Sequence, residues 1–420
     1  MNERRPKRIL MLLENCPYPR DVRVRNEANS LVAAHYEVTV VAQAMKGEKY
    51  HEMVNGVRVY RYPAPLELPS FLGFAFEYAY SYVVALFYSA WILIRHGFDV
   101  IHAHNPPDIY VFIAIFYKLL GKKFVFDHHD LTPEVFMALF NGEGNKTVYN
   151  ILMFMERFSL RVADKVIATN ESYRARQINV QGTPPEKITI VRNGPNLKRF
   201  RPVDFDPELR AKAGTILGYA GTMGKQDGID YLIRSVHHLV KDLGETDVYC
   251  VIMGSGNEEA KLKQLTKDLG MEKYIWFPGW MEVDTLIKYL STADICLGPD
   301  PKNSFNDHST MIKLMEYMAM AKPIVSFDLT ESIFSARDAA VYIKDNNEMA
   351  FAEAIRDLMY DPDKRERMGQ AGYQRIHNEL AWKYSAKNLL SLYASLFPDM
   401  AAAMVETEET EAPADPEAVS

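Results

Sequence analysis

Cysteine is nearly missing from this sequence. The three that occur, Cys16, Cys250 and Cys296, are scattered and form no CxxC pair, so neither a zinc knuckle nor a dithiol redox centre is spelled out, and a reducing cytosol is the compartment that fits. The N-terminal MNERRPKRILMLL sets charges directly before a short strand-like run. It lacks the apolar stretch and small-residue cleavage site of a secretory signal, and residue 1 is read as belonging to the mature protein. No GxSxG, HExxH or clear Cys/His pair is present, and the GK of GTMGKQDG (221–228) is not followed by Ser or Thr, so it is not a P-loop. The acidic triplets DFD (204–206) and DPD (361–363) fall in expected turns rather than behind a strand. No metal and no cofactor are therefore expected.

What the chain does have is the profile of a soluble globular protein. Its 420 residues, 48% hydrophobic and 25% charged, are more than one core usually serves, so two domains are expected. A formal charge of −7 argues against nucleic acid as a partner, but the charge is unevenly spread. Residues 1–200 carry 25 Lys/Arg against 19 Asp/Glu (+6), and residues 201–420 carry 23 against 36 (−13). Seven of those acids lie beyond Pro398 in a segment without basic or aromatic residues, which reads as an acidic disordered tail, 399–420. The basic first half has two readings, an anionic membrane surface as partner or plain uneven surface charge.

The stretch 72–94 holds 23 residues with Glu77 as its only charge, long enough for a transmembrane helix. It stands between the strand-like VRVYRY (57–62) and DVIHAH (99–104), and spanning a bilayer would separate strands that belong to one sheet. A buried helix, or one partly embedded at a membrane surface, is expected instead.

Short β-rich runs alternate with helical patterns through RILMLL, NEANSLVAAH, EVTVVA, the 72–94 stretch, DVIHAH, IYVFIAIFYKLLG and KFVFDHHD. That alternation predicts parallel βαβ units. A second series runs from KITIVRNG and TILGYAG through VYCVIMGSG, IWFPGW and ADICLGPD to KPIVSF, with helical stretches between. Pro and charge interrupt the two series within 194–210. The fold reading is α/β, two Rossmann-like doubly wound domains facing a cleft, 1–196 and 197–398.

The segments YAGTMGKQDGIDYLI (219–233) and MIKLMEYMAMAKPIV (311–325) combine with YPRDVRVRNEANSL (18–31), HAHNPPD (102–108), FDHHDLTPE (126–134), NGPN (193–196), MGSG (253–256) and FPGW (277–280). In that order and spacing the chain resembles the retaining GT-B glycosyltransferases of family 4 (glycosyl transferases group 1), in the bacterial branch whose helix reads K-x-x-E-Y-M-A. The resemblance implies a nucleotide-diphosphate sugar held mainly by the second domain and a hydroxyl acceptor, a glycan or lipid-linked glycan, held mainly by the first. It implies transfer with retention of anomeric configuration, and a last helix, AWKYSAKNLLSLYASLF, that crosses back to the first domain. Polysaccharide assembly follows as the setting, in the cytoplasm or peripherally on the cytoplasmic face of the inner membrane. A nucleotide-sugar 2-epimerase of the same architecture and a non-catalytic sugar-nucleotide-binding protein are the rival readings.

Helical spacing puts Ser309, Lys313 and Glu316 on one face, with Met311, Ile312, Leu314, Met315 and Met318 able to cover the core. A carboxylate can accept from both hydroxyls of a ribose, and the resemblance gives Glu316 that role; the plain alternative is a solvated pair with Lys313. Ser309 and Thr310 stand where this helix is expected to begin. Either could cap it, and free N–H groups there would bind the donor diphosphate. The family's first Glu, eight residues before Glu316, is His308 here, a departure at the donor-sugar end.

GTMGKQDG follows a strand and precedes a helix, so Gly221 and Gly224 can bring backbone close to phosphate. Many relatives carry an Arg and a Lys in this loop where this chain has Thr222 and Asp227, which leaves Lys225 as the local cation. Gly254 and Gly256 also follow a strand, as donor-side glycines or as a tight turn. Lys225, Lys313 and the helix N-terminus are expected to stabilise the departing diphosphate.

His128 and His129, with Asp127 and Asp130, end a strand and look superficially like metal ligands. The resemblance instead sets His129 on the transferred sugar, with Asp130 beside it as an orienting partner; His128 and Asp130 are candidates for the acceptor, and a structural role for the histidines is the alternative. His102 and His104 are expected behind them. Asp21 and Arg23, opening the first helix beside Arg20 and Arg25, are candidates for an anionic acceptor, against a solvated face.

Overall fold

A computed structural model describes residues 5–65, 71–139, 144–195 and 197–397; the acidic tail and Asn196 lie outside the described residues. Two compact units divide the chain between Val191 and Arg192 and again between Ser385 and Ala386.

The first unit opens with β1 (Arg8–Leu12), α1 (Val22–Ala33), β2 (Glu37–Ala44), β3 (His51–Val54), β4 (Val57–Pro63) and the long helix α2 (Phe71–Arg95). It continues through β5 (Val100–His104), α3 (Val111–Leu119), β6 (Lys123–His128), α4 (Thr132–Leu139), α5 (Lys146–Val162), β7 (Lys165–Ala168), α6 (Glu171–Asn179) and β8 (Ile188–Ile190). The strands order as β3-β4-β2-β1-β5-β6-β7-β8, parallel throughout except for the β3–β4 pair. The 72–94 stretch is a helix within this unit. It is not a fully buried one: Phe76, Val83, Phe87 and Ile94 face outward.

The second unit holds α7 (Pro207–Arg210), β9 (Thr215–Ala220), α8 (Ile229–Lys241), β10 (Val248–Met253), α9 (Glu259–Asp268), β11 (Ile275–Gly279), α10 (Val283–Thr292), β12 (Ile295–Gly298) and α11 (Ile312–Ala319). β13 (Ile324–Phe327), α12 (Thr330–Ala336), β14 (Ala340–Ile343), α13 (Glu348–Met359) and α14 (Pro362–Arg375) complete it. Its six strands, β11-β10-β9-β12-β13-β14, are all parallel. The last helix, α15 (Trp382–Leu396), groups with the first unit from Ala386 on.

Both faces of the second sheet are covered, which is why its strands read as continuous apolar runs. Leu217 and Tyr219 of β9 join one core cluster while Ile216 and Ala220 join the other, as the two-residue repeat of a strand requires. Helix α8 buries Ile229, Leu232, Ile233, Val236, Leu239 and Val240 against the first cluster. That is a 3.6-period stripe, and each such side chain contributes about 1.5–3 kcal/mol when fully buried.

In each sheet the strand order reverses once, between β1 and β5 and between β9 and β12. Residues just beyond the carboxyl ends of those strands are where open α/β sheets hold ligands.

Candidate functional site

Beyond β9 and β12 in the second unit lies a cavity of about 360 Å³, lined by Gly221, Thr222, Asp227, Thr310, Lys313 and Glu316 among others. Its loop is closed by Asp227, whose Oδ2 accepts from the Gly224 N–H at 3.0 Å while the Gly224 carbonyl accepts from the Asp227 N–H at 3.2 Å. Lys225 is exposed at the start of that turn. The β10 loop packs directly on the β9 loop: a Cβ on Gly254, at φ 132°, would stand 1.9 Å from the Gly221 carbonyl oxygen. Gly254 and Gly256 therefore shape this loop pair, and neither they nor Gly224, His308 or Ser309 line the cavity.

Helix α11 begins later than expected. Its N-cap is Met311, with no side-chain cap bond. A one-turn helix, Asn306–His308, and an extended Ser309 prolong the loop. Ser309 Oγ donates to the Phe305 carbonyl at 2.9 Å, and Thr310 Oγ1 accepts from Arg192 Nη1 at 3.1 Å. Neither caps the helix, which corrects the expectation. Met311 packs partly buried against the core and also lines the cavity; Ile312, expected in the core, is exposed on the cavity lining, while Leu314, Met315 and Met318 are fully buried. His308 Nδ1 lies 2.8 Å from the Ser304 carbonyl oxygen.

Lys313 lines the same cavity. It is already paired: Nζ lies 2.7 Å from Asp300 Oδ1, 3.2 Å from Asp227 Oδ1 and 3.2 Å from Tyr219 Oη. Burial opposes its charge, but Asp300, Tyr219 and Asp227 hold its pKa well above the ordinary lysine range. Burial pushes Asp300 up against the pull of Lys313. Glu316, on the cavity wall, has no hydrogen bond to its carboxyl group among the described residues, and burial raises it to about 7, only partly offset by Lys313.

In the first unit the ends of β5 and β6 and the start of α1 gather a second constellation. Asp21 caps α1, accepting from the backbone N–H of Arg23 and Val24, and takes a two-point contact from the Arg23 guanidinium at 2.8 and 3.1 Å. Burial would raise Asp21, yet Arg23 brings it down to about 2. Arg23 is thus tied to the cap of its own helix.

The extended backbone at the end of β6 separates His128, its last residue, from His129, which follows it. Asp127 accepts a 2.7 Å hydrogen bond from His104 Nδ1 and lies 3.5 Å from His129 Nδ1. His128 points the other way, fully buried, with Nδ1 3.0 Å from Gln177 Nε2 and its ring stacked on Phe126. Burial, helped by Arg176, drops His128 to about 3. That makes it a neutral core residue and corrects its assignment to the acceptor. Asn105 Oδ1 accepts from the backbone N–H of both His129 and Asp130, which fixes this turn.

Glu27, His102, His104 and Asp127 offer four donor atoms within 4.8 Å of one another. The His104–Asp127 contact of 2.7 Å is shorter than the roughly 3.4 Å that separates neighbouring ligands around a tetrahedral zinc. Tyr393 Oη lies 2.9 Å from His102 Nδ1, Glu27 is pushed well up by burial and by Asp127, and Glu27 Oε2, His102 Nε2 and His104 Nε2 have no hydrogen-bond partner among the described residues.

Sequence reasoning missed Asp300, Tyr219, Glu27 and the Arg192–Glu331 pair (3.0 Å) beside Thr310. Asp300 had a signal, a carboxylate just after the apolar strand ICLG; Arg192 and Glu331 had none.

Comparison with known proteins fits this geometry. Residues 21–194 match the glycosyl transferase 4-like domain, and residues 200–375 match glycosyl transferases group 1. An uncharacterised glycosyltransferase of Methanocaldococcus jannaschii is 25% identical, with 89% of this chain and 93% of that protein covered. A D-inositol 3-phosphate glycosyltransferase of Streptomyces bingchenggensis is 26% identical, over 93% of this chain and 90% of its own. Among solved structures, sucrose-phosphate synthase from Thermosynechococcus elongatus aligns with a TM-score of 0.74 at 18% identity, covering 94% of this chain and all (100%) of its own. HepE of Anabaena, in complex with UDP and glucose, aligns at 0.70 and 16% identity, over 93% and 100%. Each of the two glycosyltransferase family models thus matches one of the two Rossmann-like units, and the fold is that of the GT-B glycosyltransferases.

Proposed function

We propose that this glycosyltransferase moves a sugar from a nucleotide-diphosphate donor to a hydroxyl acceptor with retention of configuration, in glycan or polysaccharide assembly. The observation that carries the reading is Glu316. It is a carboxyl group without a hydrogen-bond partner among the described residues, on the wall of a cavity at the strand-order reversal of the second sheet. The two hydroxyls of a ribose would supply the donors it lacks. The first turn of α11 lines the same cavity, and its N–H groups and dipole suit a diphosphate. HepE, of the same fold, binds UDP and glucose.

In the reaction as proposed, the acceptor oxygen bonds to the anomeric carbon on the face from which the diphosphate departs, and the acceptor's proton passes to that diphosphate. His129, with Asp127 beside Nδ1, holds the sugar. Lys225, Lys313 and the α11 N-terminus carry the developing charge, with no metal assigned to the step.

A thermal-shift panel of nucleotide sugars tests binding, since a ligand at 100 times its Kd stabilises by about 2.7 kcal/mol. NMR of the product with an α-configured donor then reads the anomer. A β product sinks retention, an epimerised nucleotide sugar formed without acceptor favours the epimerase, and binding without turnover of any acceptor favours a non-catalytic protein.

A further inference from the structure

One helix among the described residues is long and apolar enough to cross a membrane, Phe76–Arg95 within α2, yet only 22% of its most apolar stretch is buried. It joins β4 to β5 of one sheet and so cannot span a bilayer. Its inner side is Ser81, Ala85, Ser89 and Ile92, all essentially inaccessible. Phe76, Val83, Phe87 and Ile94 fall within about 20° of a single line along a 3.6-residue helix, and they are 53 to 88% exposed.

Neighbouring helices extend this surface. Phe116 and Leu119 of α3 and Phe154 of α5 are more than half exposed. Tyr117 Oη donates to Ser89 Oγ at 3.1 Å, joining α3 to α2, and the Phe112 and Phe158 rings meet at 5.9 Å, joining α3 to α5. An apolar face continuous over three helices marks an interaction surface.

The charges around it say what it meets. The three helices contain two carboxylates in all: Glu77, half-buried near Glu14, and Glu156, fully buried. Arg95, Lys123 and Arg161 are exposed, and Lys122 half so, where α2, α3 and α5 lead into the parallel strands β5, β6 and β7, along one edge of the sheet. The two carboxylates in the same connections, Asp99 and Asp164, are already paired with Arg5 (3.1 Å) and Lys118 (2.9 Å), so a second copy paired through this face would bring no unpaired carboxylate from them to that basic edge.

We propose that the α2–α3–α5 face of the first unit docks on a lipid bilayer, its apolar side chains entering the interface and its basic edge meeting anionic headgroups. The acceptor side of the enzyme would then work at a membrane surface.

Flotation of the full chain with vesicles of phosphatidylcholine, with and without phosphatidylglycerol, tests this. Binding to the anionic vesicles at low salt is expected, weakened about fivefold by each of Lys122→Ala and Lys123→Ala and abolished by the pair Phe87→Ser and Ile94→Ser. Circular dichroism and nucleotide-sugar binding of all variants should match wild type. Absence of flotation at low salt overturns the proposal, as does flotation indifferent to both sets of substitutions. A dimer mass by light scattering that Phe87→Ser reduces to a monomer, without flotation, overturns it in favour of a second copy. No sugar donor enters the flotation, so its failure leaves the transfer reaction standing, and failure of transfer leaves this surface standing.

Discussion

The ammonium of Lys313 rests 2.7 Å from Oδ1 of Asp300, a carboxylate 2% exposed at the end of β12. The loop position where the family resemblance expects a lysine is Asp227, and Asp227 lies on the other flank of the same ammonium. At that position the cation is therefore supplied by helix α11, in addition to Lys225 of the β9 loop. Two carboxylates share it, so its net effect on a bound diphosphate depends on both.

Lys313→Met should destabilise the fold by about 3–5 kcal/mol, because it leaves Asp300 and Asp227 buried without a cation. Adding Asp300→Asn should recover a large share of that loss. Urea unfolding of the single and double variants measures both. A single-variant loss below about 1 kcal/mol would place the pair among exposed ion pairs.

Donor affinity should depend on pH through Glu316. Its carboxyl group titrates near 7 and accepts from both ribose hydroxyls only when ionised, so Kd should rise about tenfold from pH 8 to pH 6. Glu316→Ala should lose roughly 1.5–3 kcal/mol of binding at pH 8 and show no such slope. Calorimetric titration at the two pH values checks this, and a pH-independent wild-type Kd removes Glu316 from the ribose.

Stability should move in the opposite sense. The folded pKa of about 7 lies above the ordinary carboxylate value of 4.5, so the folded state holds a proton that the unfolded chain has released between those pH values. Wild-type stability is therefore lost as pH rises from 4.5 to 7 and is level above that. Glu316→Gln, neutral throughout, should have a higher Tm than wild type at pH 8 and the same Tm at pH 4. Equal shifts at both values would mean that the carboxyl group is solvated.

Lys225→Ala should lower kcat on the order of 10²-fold, as loss of one donor to a developing anion does, with Lys225→Arg retaining some of the rate. Lys302→Ala is the control, since Lys302 Nζ bonds the Asp328 carbonyl oxygen at 2.8 Å. Turnover should persist in EDTA. A normal kcat for Lys225→Ala shifts the charge to Lys313 and the α11 N-terminus, and an EDTA-dependent loss restored by one divalent ion reveals a metal in the step.

From the sequence alone, the alternation of strand and helix periods determined two doubly wound α/β units, because both periods are local and both sheets are buried on two faces. The resemblance carried by the motifs located Glu316 and the glycine loop. Contacts made across the chain were decided only by the tertiary structure. Lys313 meets Asp227 from 86 residues away and Asp300 from 13, pairings that no local pattern encodes. The same is true of His128 and His129 at the end of β6. A two-residue repeat puts them on opposite faces, but which face holds Asp127 and His104 and which holds Gln177 depends on the helices packed on each side. Helix α11 starts later than the local sequence pattern predicts because Arg192, from a distant strand end, takes the Thr310 hydroxyl, and Ser309 turns back on Phe305. Composition showed an apolar 72–94 stretch; that one side of it stays bare is a matter of which neighbours the sheet provides.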